Sequence, residues 1–140
     1  MPVKQISVLI ENSKGSLASV TGILAEEKIN CRSMCIADTK DYGILRIIAD
    51  DPERAYKVLK SAGQAASLRE LVGFEIPDEP GSLSHVLKII EDADINMEYM
   101  YALVPKSHTG ACVVMRVDDN ARAESLLREH GISVLNGVNI

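Results

Sequence analysis

Two separate stretches of this chain alternate apolar and polar residues. In the first stretch Ile6, Val8 and Ile10 alternate with Gln5, Ser7 and Glu11, and residues 72–76 repeat the alternation. A period of two is the pattern of a strand with one buried face. Each stretch is therefore predicted to be the first strand of a folding unit.

Each of these strands leads into a polar turn that ends in glycine. The turns read ENSKGS and PDEPGS, and apolar residues at helical spacing begin after them at Leu17 and Leu83. Ser16 and Ser82 stand directly after the glycines, and serine is a favoured N-cap residue. We predict a helix after each glycine, capped by the serine.

The same order of patterns continues after each of these helices. We expect second strands at residues 30–37 and 96–103, third strands at 43–49 and 110–117, second helices from Pro52 and around Ala123, and last strands at 64–68 and 132–135. The order β-α-β-β-α-β, occurring twice, is that of the ferredoxin-like unit, with both helices on one face of an antiparallel sheet. The predicted fold class is therefore α+β.

The two halves of the chain are an internal repeat. Pairs at an offset of 66 residues include Gly15 with Gly81, Leu17 with Leu83, Ile29 with Ile95 and Asn30 with Asn96. The repeat covers nearly the whole chain. We expect domains at 1–69 and 70–140, packed side by side with their sheets joined, because each unit leaves a strand edge and a bare sheet face.

Composition argues against nucleic-acid and membrane partners. Fifteen basic and twenty acidic residues give a net charge of −5, and the 140 residues contain no Trp and one Phe. No apolar run approaches the roughly 20 residues of a membrane helix. The N-terminus is interpreted as a strand and not as a signal peptide, which favours the cytoplasm.

Catalytic and metal-binding patterns are lacking. The three cysteines, Cys31, Cys35 and Cys112, have no CxxC spacing and are expected to be reduced, although Cys31 and Cys35 could share a strand face. The turns contain no thiols for copper or zinc. The three histidines have no partner at a recognised spacing, and we expect surface or helix-end positions for His85, His108 and His130. No catalytic residue, cofactor or metal is predicted, and the acidic cluster at residues 91–94 is interpreted as a solvated face.

The repeated glycine turn is the remaining candidate for function. Gly15 and Gly81 lie where a strand ends and a helix begins, and a helix N-terminus favours an anion such as a carboxylate. A glycine there lets a ligand approach the backbone N–H groups. The alternative is that glycine only permits the tight turn, and duplication does not decide between the two.

At these residues the chain resembles the ACT domain family, whose members are small amino-acid-binding regulatory modules of βαββαβ order. The resemblance rests on ISVLIENSKGSLASVTGILAEEKINCRSM and VGFEIPDEPGSLSHVLKIIEDADINMEYM. It covers both halves and implies a tandem ACT protein without a catalytic domain. The first half is also similar to the small regulatory subunit of acetolactate synthase, which opens with a strand, E-N, two residues, G and then L.

Similarity to the serine-sensing regulatory domain of phosphoglycerate dehydrogenase implies which residues contact a ligand. The implied residues are Asn12 and Asn30 in the first half, and Asp78 and Asn96 in the second. With the rest of each turn and the residue after each asparagine, the candidate ligand-binding residues are Asn12, Ser13, Lys14, Gly15, Ser16, Leu17, Asn30 and Cys31, and Asp78, Glu79, Pro80, Gly81, Ser82, Leu83, Asn96 and Met97. The resemblance places each site between neighbouring units, with the turn of one facing the asparagine of the other. An asparagine side chain can accept from an ammonium and donate to a carboxylate.

The two halves differ at this implied site. Lys14 stands where the family usually has proline, and Asp78 replaces the polar amide found at Asn12. The two sites are therefore expected to differ in what they bind. Ser19 and His85 are further candidates for contact with a ligand side chain.

These patterns predict a non-catalytic cytoplasmic regulator that binds a free amino acid at interfaces between ACT units. A homodimer is expected because apolar sheet residues would otherwise be exposed on the bare face, namely Leu45, Ile47, Cys112 and Val114. The alternative is a dissociable regulatory subunit of an amino-acid biosynthetic enzyme that docks its partner on the bare sheet. An enzyme is the weakest alternative, for want of a nucleophile and base.

Overall fold

A computed structural model of the protein describes residues 1–38, 40–107 and 109–140. The chain divides into two compact units, Lys4–Arg69 and Glu70–Ile140 together with Met1–Val3. The elements are β1 (Val3–Glu11), α1 (Ser16–Glu26), β2 (Cys31–Asp38), β3 (Tyr42–Ala49), α2 (Pro52–Ser61), β4 (Ala65–Ile76), α3 (Ser82–Asp92), β5 (Met97–Leu103), β6 (Ala111–Val117), α4 (Asn120–Glu129), β7 (Ser133–Val134) and a 3₁₀ turn (Gly137–Asn139). None of the helices found in those ranges is long and apolar enough to cross a membrane.

The first unit has β3 between β1 and β2, and both pairs are antiparallel. Ile47 of β3 lies opposite Ile6 of β1 and Met34 of β2. Helices α1 and α2 pack on one face of these strands. The first-unit core consists of Ile6, Val8, Val20, Leu24, Ile29, Leu45, Ile47, Ala49, Ala55, Leu59 and Ala66. The alternating residues of β1 thus face the helices, as the period of two predicts.

The second unit repeats this arrangement in the strand order β7-β4-β6-β5, with every pair antiparallel. Phe74 lies opposite Val113 on one side and Val134 on the other. Helices α3 and α4 complete the second-unit core, which consists of Val72, Phe74, Ile76, Val86, Ile90, Ile95, Val113, Met115, Val117, Ala123 and Leu127. The predicted α+β class and the two ferredoxin-like units are confirmed.

One strand is longer than the sequence suggested. The expected strands at 64–68 and 72–76 form the single strand β4, Ala65–Ile76, with no break between them. Gly73 lies inside β4 where two other residues approach closely: a Cβ added to it would lie 3.0 Å from Val3 and 3.1 Å from Leu135. This glycine therefore serves close packing and does not end the strand.

The suggestion that Cys31 and Cys35 share a face is wrong. A β-bulge shifts the register between Cys31 and Ser33, so the residue count between the two cysteines no longer preserves the face. Cys31 lies opposite Ala49 and packs against the first-unit core, whereas Cys35 lies opposite Arg46, on the other side of the sheet.

The residues expected to expose an apolar sheet face are buried. Leu45 and Ile47 belong to the helix-covered core, and Cys112 and Val114 are 3% and 0% exposed. The strand alternation places Leu45 and Ile47 under the helices, so that prediction is wrong and they give no reason to expect a dimer.

Candidate ligand site

The glycines of the repeated turn have backbone angles that other residues avoid. Gly15 has φ 89° and Gly81 φ 90°, both in the left-handed region, and each is the N-cap of the helix that follows. A Cβ added to either would meet no atom within 4 Å. The backbone angle, and not a shortage of space inside the protein, is therefore what requires glycine.

The predicted serine caps are wrong. Ser16 and Ser82 are the first helical residues, and neither helix has a side-chain hydrogen bond at its cap. The Ser16 hydroxyl is instead 2.8 Å from the Ser13 hydroxyl within the turn. The Ser16 and Ser82 N–H groups donate to the Ser13 and Glu79 carbonyls at 3.3 Å, and the N–H groups that follow them in each first turn have no side-chain cap and are open to an outside acceptor.

Substituting Gly81 by alanine should lower the free energy of unfolding by about 1–2 kcal/mol, because alanine is strained at this φ. Gly22, inside α1, is the matched control, since a Cβ there also meets nothing and φ is helical. Gly22→Ala should raise stability by about 0.5–1 kcal/mol. Urea unfolding midpoints measure the stability of both variants. If both substitutions changed the stability equally and in the same direction, the backbone angle would not be what requires glycine at position 81.

The two turns carry opposite charges. The Asn12 side-chain amide donates to the Lys40 carbonyl at 3.2 Å, which ties the first turn to the β2–β3 connection. Lys14 is exposed and has no ion pair in the part of the chain that the structure describes. The second turn has Asp78 in place of Asn12 and Glu79 in place of Ser13, and both are exposed.

The two asparagines after the first helices are held by their backbones. The Asn30 N–H donates to an Asp50 carboxylate oxygen at 3.3 Å, and its carbonyl accepts from the Asp50 N–H at 3.0 Å. The Asn96 carbonyl accepts from the Asp118 N–H at 3.2 Å. Both asparagine residues are exposed, so each side chain is available to a ligand from a fixed position.

The residues that follow the asparagines are half-buried against the cores. Cys31 and Met97 contact the first-unit and second-unit cores respectively. Burial, together with the charge of Asp50, raises the pKa of the Cys31 thiol. Cys31 therefore stays protonated at neutral pH and is a poor nucleophile.

In the second unit the turn and the asparagine line different cavities. The groove beside α3, of about 930 Å³, is lined by Leu83, Ser84, Leu87, Lys88, Ile90, Glu91, Asp94, Ile95, Asn96, Met97 and Asp118. The turn cavity, of about 470 Å³, is lined by Glu75, Ile76, Pro77, Glu79, Pro80, Gly81, Ser82, His85, Val86, Gly131 and Ile132. The structure therefore does not bring Asn96 together with Gly81 inside one unit.

A smaller cavity of about 380 Å³ lies beside the turn of the first unit. It is lined by Leu9, Ile10, Glu11, Ser16, Ser19, Gly63, Gln64 and Ala65. Ser19 and His85, the two suggested neighbours of a ligand, thus each line a turn cavity.

Sequence reasoning missed the outer wall of the groove beside α3. Leu87, Lys88 and Glu91 line this wall. The sequence feature that could have indicated it is the pair Leu83 and Leu87, which are one helical turn apart and lie outside the buried stripe of α3. Lys88 lies 3.0 Å from Asp92 and 3.6 Å from Glu91, and all three are exposed. The interpretation of the acidic cluster as a solvated face is confirmed, although Glu91 and Asp94 also line the groove.

The histidines and cysteines of the described ranges form no reactive group. His85 and His130 are exposed, as predicted, and His130 ends α4; His108 lies outside the described residues. The structure records all three cysteines as free thiols. Within 1–38, 40–107 and 109–140, no three His, Cys, Asp or Glu side chains converge as a metal site would require.

Comparison with solved structures gives several close folds. A protein of Bacteroides thetaiotaomicron, BT0572, is 37% identical with a TM-score of 0.92, over 99% of this chain and 95% of that one. The regulatory subunits of aspartate kinase from Thermus thermophilus (ligand-free form) and Thermus flavus are 17% and 18% identical. Their TM-scores are 0.65 and 0.63, over 91% and 89% of this chain and 90% and 88% of theirs. These two likenesses establish similarity of fold.

No curated protein matches the chain. The family model described as an ACT domain pair matches residues 1–140, the whole of the sequence. With the two βαββαβ units and the repeated glycine turn, this match establishes that the chain belongs to the ACT domain pair family.

Proposed function

We propose that this protein is a non-catalytic cytoplasmic regulator that binds a free amino acid where two ACT units meet, with its domains at 1–69 and 70–140. The observation that carries the proposal is the separation of the turn from the asparagine within a unit. Gly15 and Asn30 flank the 11-residue helix α1, which is about 16 Å long. A small zwitterion cannot span that length, so a complete site needs the turn of one unit and the asparagine of another.

The chemistry of the two halves fits an amino acid. The open first-turn N–H groups at Gly15 favour the ligand carboxylate. The exposed amide of Asn30 can accept from the ligand ammonium. The pairing of Asn30 with Asp50 fixes the Asn30 backbone, so binding has to order only the side-chain torsions of the amide.

The outer face of α1 supports a second copy as the source of the other unit. No charged residue occurs from Ser16 to Ala25, and Leu17, Ala18, Gly22 and Ala25 are exposed. Two α1 helices packed antiparallel would bury this face. They would also bring the turn of one copy to Asn30 of the other, which is the arrangement that the site requires.

A thermal-shift screen against the twenty amino acids tests the proposal. At a hundred times its dissociation constant, a ligand should stabilise the protein by about 2.7 kcal/mol, and the melting temperature should rise accordingly. Asn30→Ala and Asn96→Ala, each at an exposed residue, should remove the shift at their own site without changing the melting temperature of the free protein.

Light scattering at micromolar concentration supplies the second measurement. A homodimer is expected, and Gly22→Glu should produce a monomer because it places charge at the centre of the uncharged α1 face. A monomeric wild-type protein, or a ligand shift that survives both asparagine variants, would contradict the proposed site.

The second candidate function is a dissociable regulatory subunit of an amino-acid biosynthetic enzyme. An exposed apolar row on the first unit favours it: Leu9 lies opposite Ile44, which lies opposite Ala37, on the sheet face away from the helices. Leu9 is 51% and Ile44 36% exposed. Two of the solved structures of similar fold are regulatory subunits of aspartate kinase. Co-purification with a larger enzyme, lost in Ile44→Glu, would favour this function.

A further inference from the structure

The second strand of each unit contains a β-bulge at the same place in the repeat. The register shifts between Cys31 and Ser33 in β2, and between Met97 and Tyr99 in β5. The bulged residues, Arg32 and Glu98, are 66 positions apart and have opposite charges. The two positions therefore share the same backbone feature, a bulge, but their side chains carry opposite charges.

The second unit supplies a counter-ion for its bulge. Arg116, opposite Tyr99 on the neighbouring strand, forms an ion pair with Glu98. In the first unit the residue opposite Ser33 is Ile48, which is apolar and 0% exposed. The strand beside Arg32 thus offers no group equivalent to Arg116.

Arg32 has a polar atom that the protein does not satisfy. Its Nε is buried and has no hydrogen-bond partner, and no described carboxylate forms an ion pair with it. Arginine stays charged in proteins and has donors only. Because Nε itself is closed to solvent, an acceptor from outside would bind the terminal Nη groups of this half-buried guanidinium, which has no counter-ion among the described residues.

Arg32 is close to the place proposed for the ligand. It follows Asn30 by two residues, at the start of β2. In the proposed two-copy arrangement the turn facing Asn30 carries Lys14, an exposed cation. Two cations and one amide match a ligand with two carboxylates and one ammonium.

We infer that Arg32 determines the specificity of the first-unit site by binding the side-chain carboxylate of an acidic amino acid. This inference rests on the proposed function and adds to it the class of the ligand. The guanidinium can hold a carboxylate with two parallel hydrogen bonds, which distinguishes an acid from its amide. The second unit has Glu98, already neutralised by Arg116, and lacks this selectivity.

Isothermal titration of the full chain with glutamate, aspartate, glutamine and asparagine tests the inference. An acidic amino acid should bind the wild-type protein at least about tenfold more tightly than its amide, the range for one charged hydrogen bond. Arg32→Gln should weaken binding of the acid by about tenfold or more and leave the amide unchanged. Arg32→Lys should keep part of the preference, and Glu98→Gln, the matched control in the second unit, should change nothing.

Each result decides between the two proposals. If an amide binds more tightly than its acid, if the thermal-shift screen selects a different amino acid, or if Arg32→Gln binds the acid as well as wild type, the role of Arg32 is wrong while amino-acid binding stands. If none of the twenty amino acids in that screen shifts the melting temperature and none of the four titrated here binds, both are wrong. Circular dichroism verifies that Arg32→Gln is folded; if it is not, Arg32→Lys and the ratio of acid to amide affinity decide.

Discussion

Replacing Phe74 by alanine should lower the free energy of unfolding by about 3–5 kcal/mol. Phe74 is 0% exposed and lies on β4 in the middle of the second-unit core. Its backbone is paired on both sides, with Val113 of β6 on one side and Val134 of β7 on the other. Truncation loses the burial of the ring's apolar surface, and it leaves a cavity that the paired strands cannot close. The free-energy costs of the lost burial and of the cavity therefore add.

Leu9→Ala is the control for this substitution. Leu9 is also an apolar strand residue, but it is 51% exposed, and its truncation should cost less than about 1 kcal/mol. Urea unfolding followed by circular dichroism gives both values. A loss of under 1.5 kcal/mol for Phe74→Ala, roughly the size of a surface effect, would mean that the core is not packed around this ring.

The repeated patterns of the sequence were enough to predict the units. Ile6 and Val8 alternate with polar residues and face the helices, and Pro52 begins α2 as its first-turn position indicated. Strand alternation and helix starts are local properties of the chain, set by side-chain geometry within a few residues. They can therefore be derived from one sequence.

Features that depend on pairing between strands could not be derived in this way. The bulge at Arg32 reverses the expected face of Cys35, and the local sequence contains no glycine or proline to signal it. The close approach of Val3 and Leu135 to Gly73 inside β4 is similar. A bulge or a close approach is decided by the partner, which is distant in sequence.

The sequence predicted which residues belong to the candidate site, but not how those residues are arranged. Gly15 and Asn30 stand out in the sequence, whereas the bonds of Asn30 to Asp50 emerge only when the strands pair. The repeated Asp-Asp pairs have two structural roles: the first aspartate bonds the asparagine, and the second, Asp51 or Asp119, caps α2 or α4. Part of what the repeat preserves is therefore strand and helix geometry.

Gly110→Ala should cost about 3 kcal/mol, the upper end of the range for overpacking. A Cβ on Gly110 would lie 2.5 Å from the carbonyl oxygen of Ile76 and 3.0 Å from a carboxylate oxygen of Glu75. The Gly110 N–H also donates to that carboxylate at 3.0 Å. Because the main obstacle is backbone in a paired strand, it cannot turn aside, and relief must displace the start of β6 from β4.

The matched substitution in the first half is Gly43→Ala. A Cβ on Gly43 would first meet the Ile36 side chain at 3.2 Å, and Ile36 is 44% exposed, so it can move. We expect a cost below about 1 kcal/mol, in keeping with a side chain that can adjust. Urea midpoints of the two variants measure the difference directly. If the two substitutions lower the free energy of unfolding equally, the paired ends of β4 and β6 can shift as easily as an exposed side chain. Gly110 would then not be required for this strand pairing.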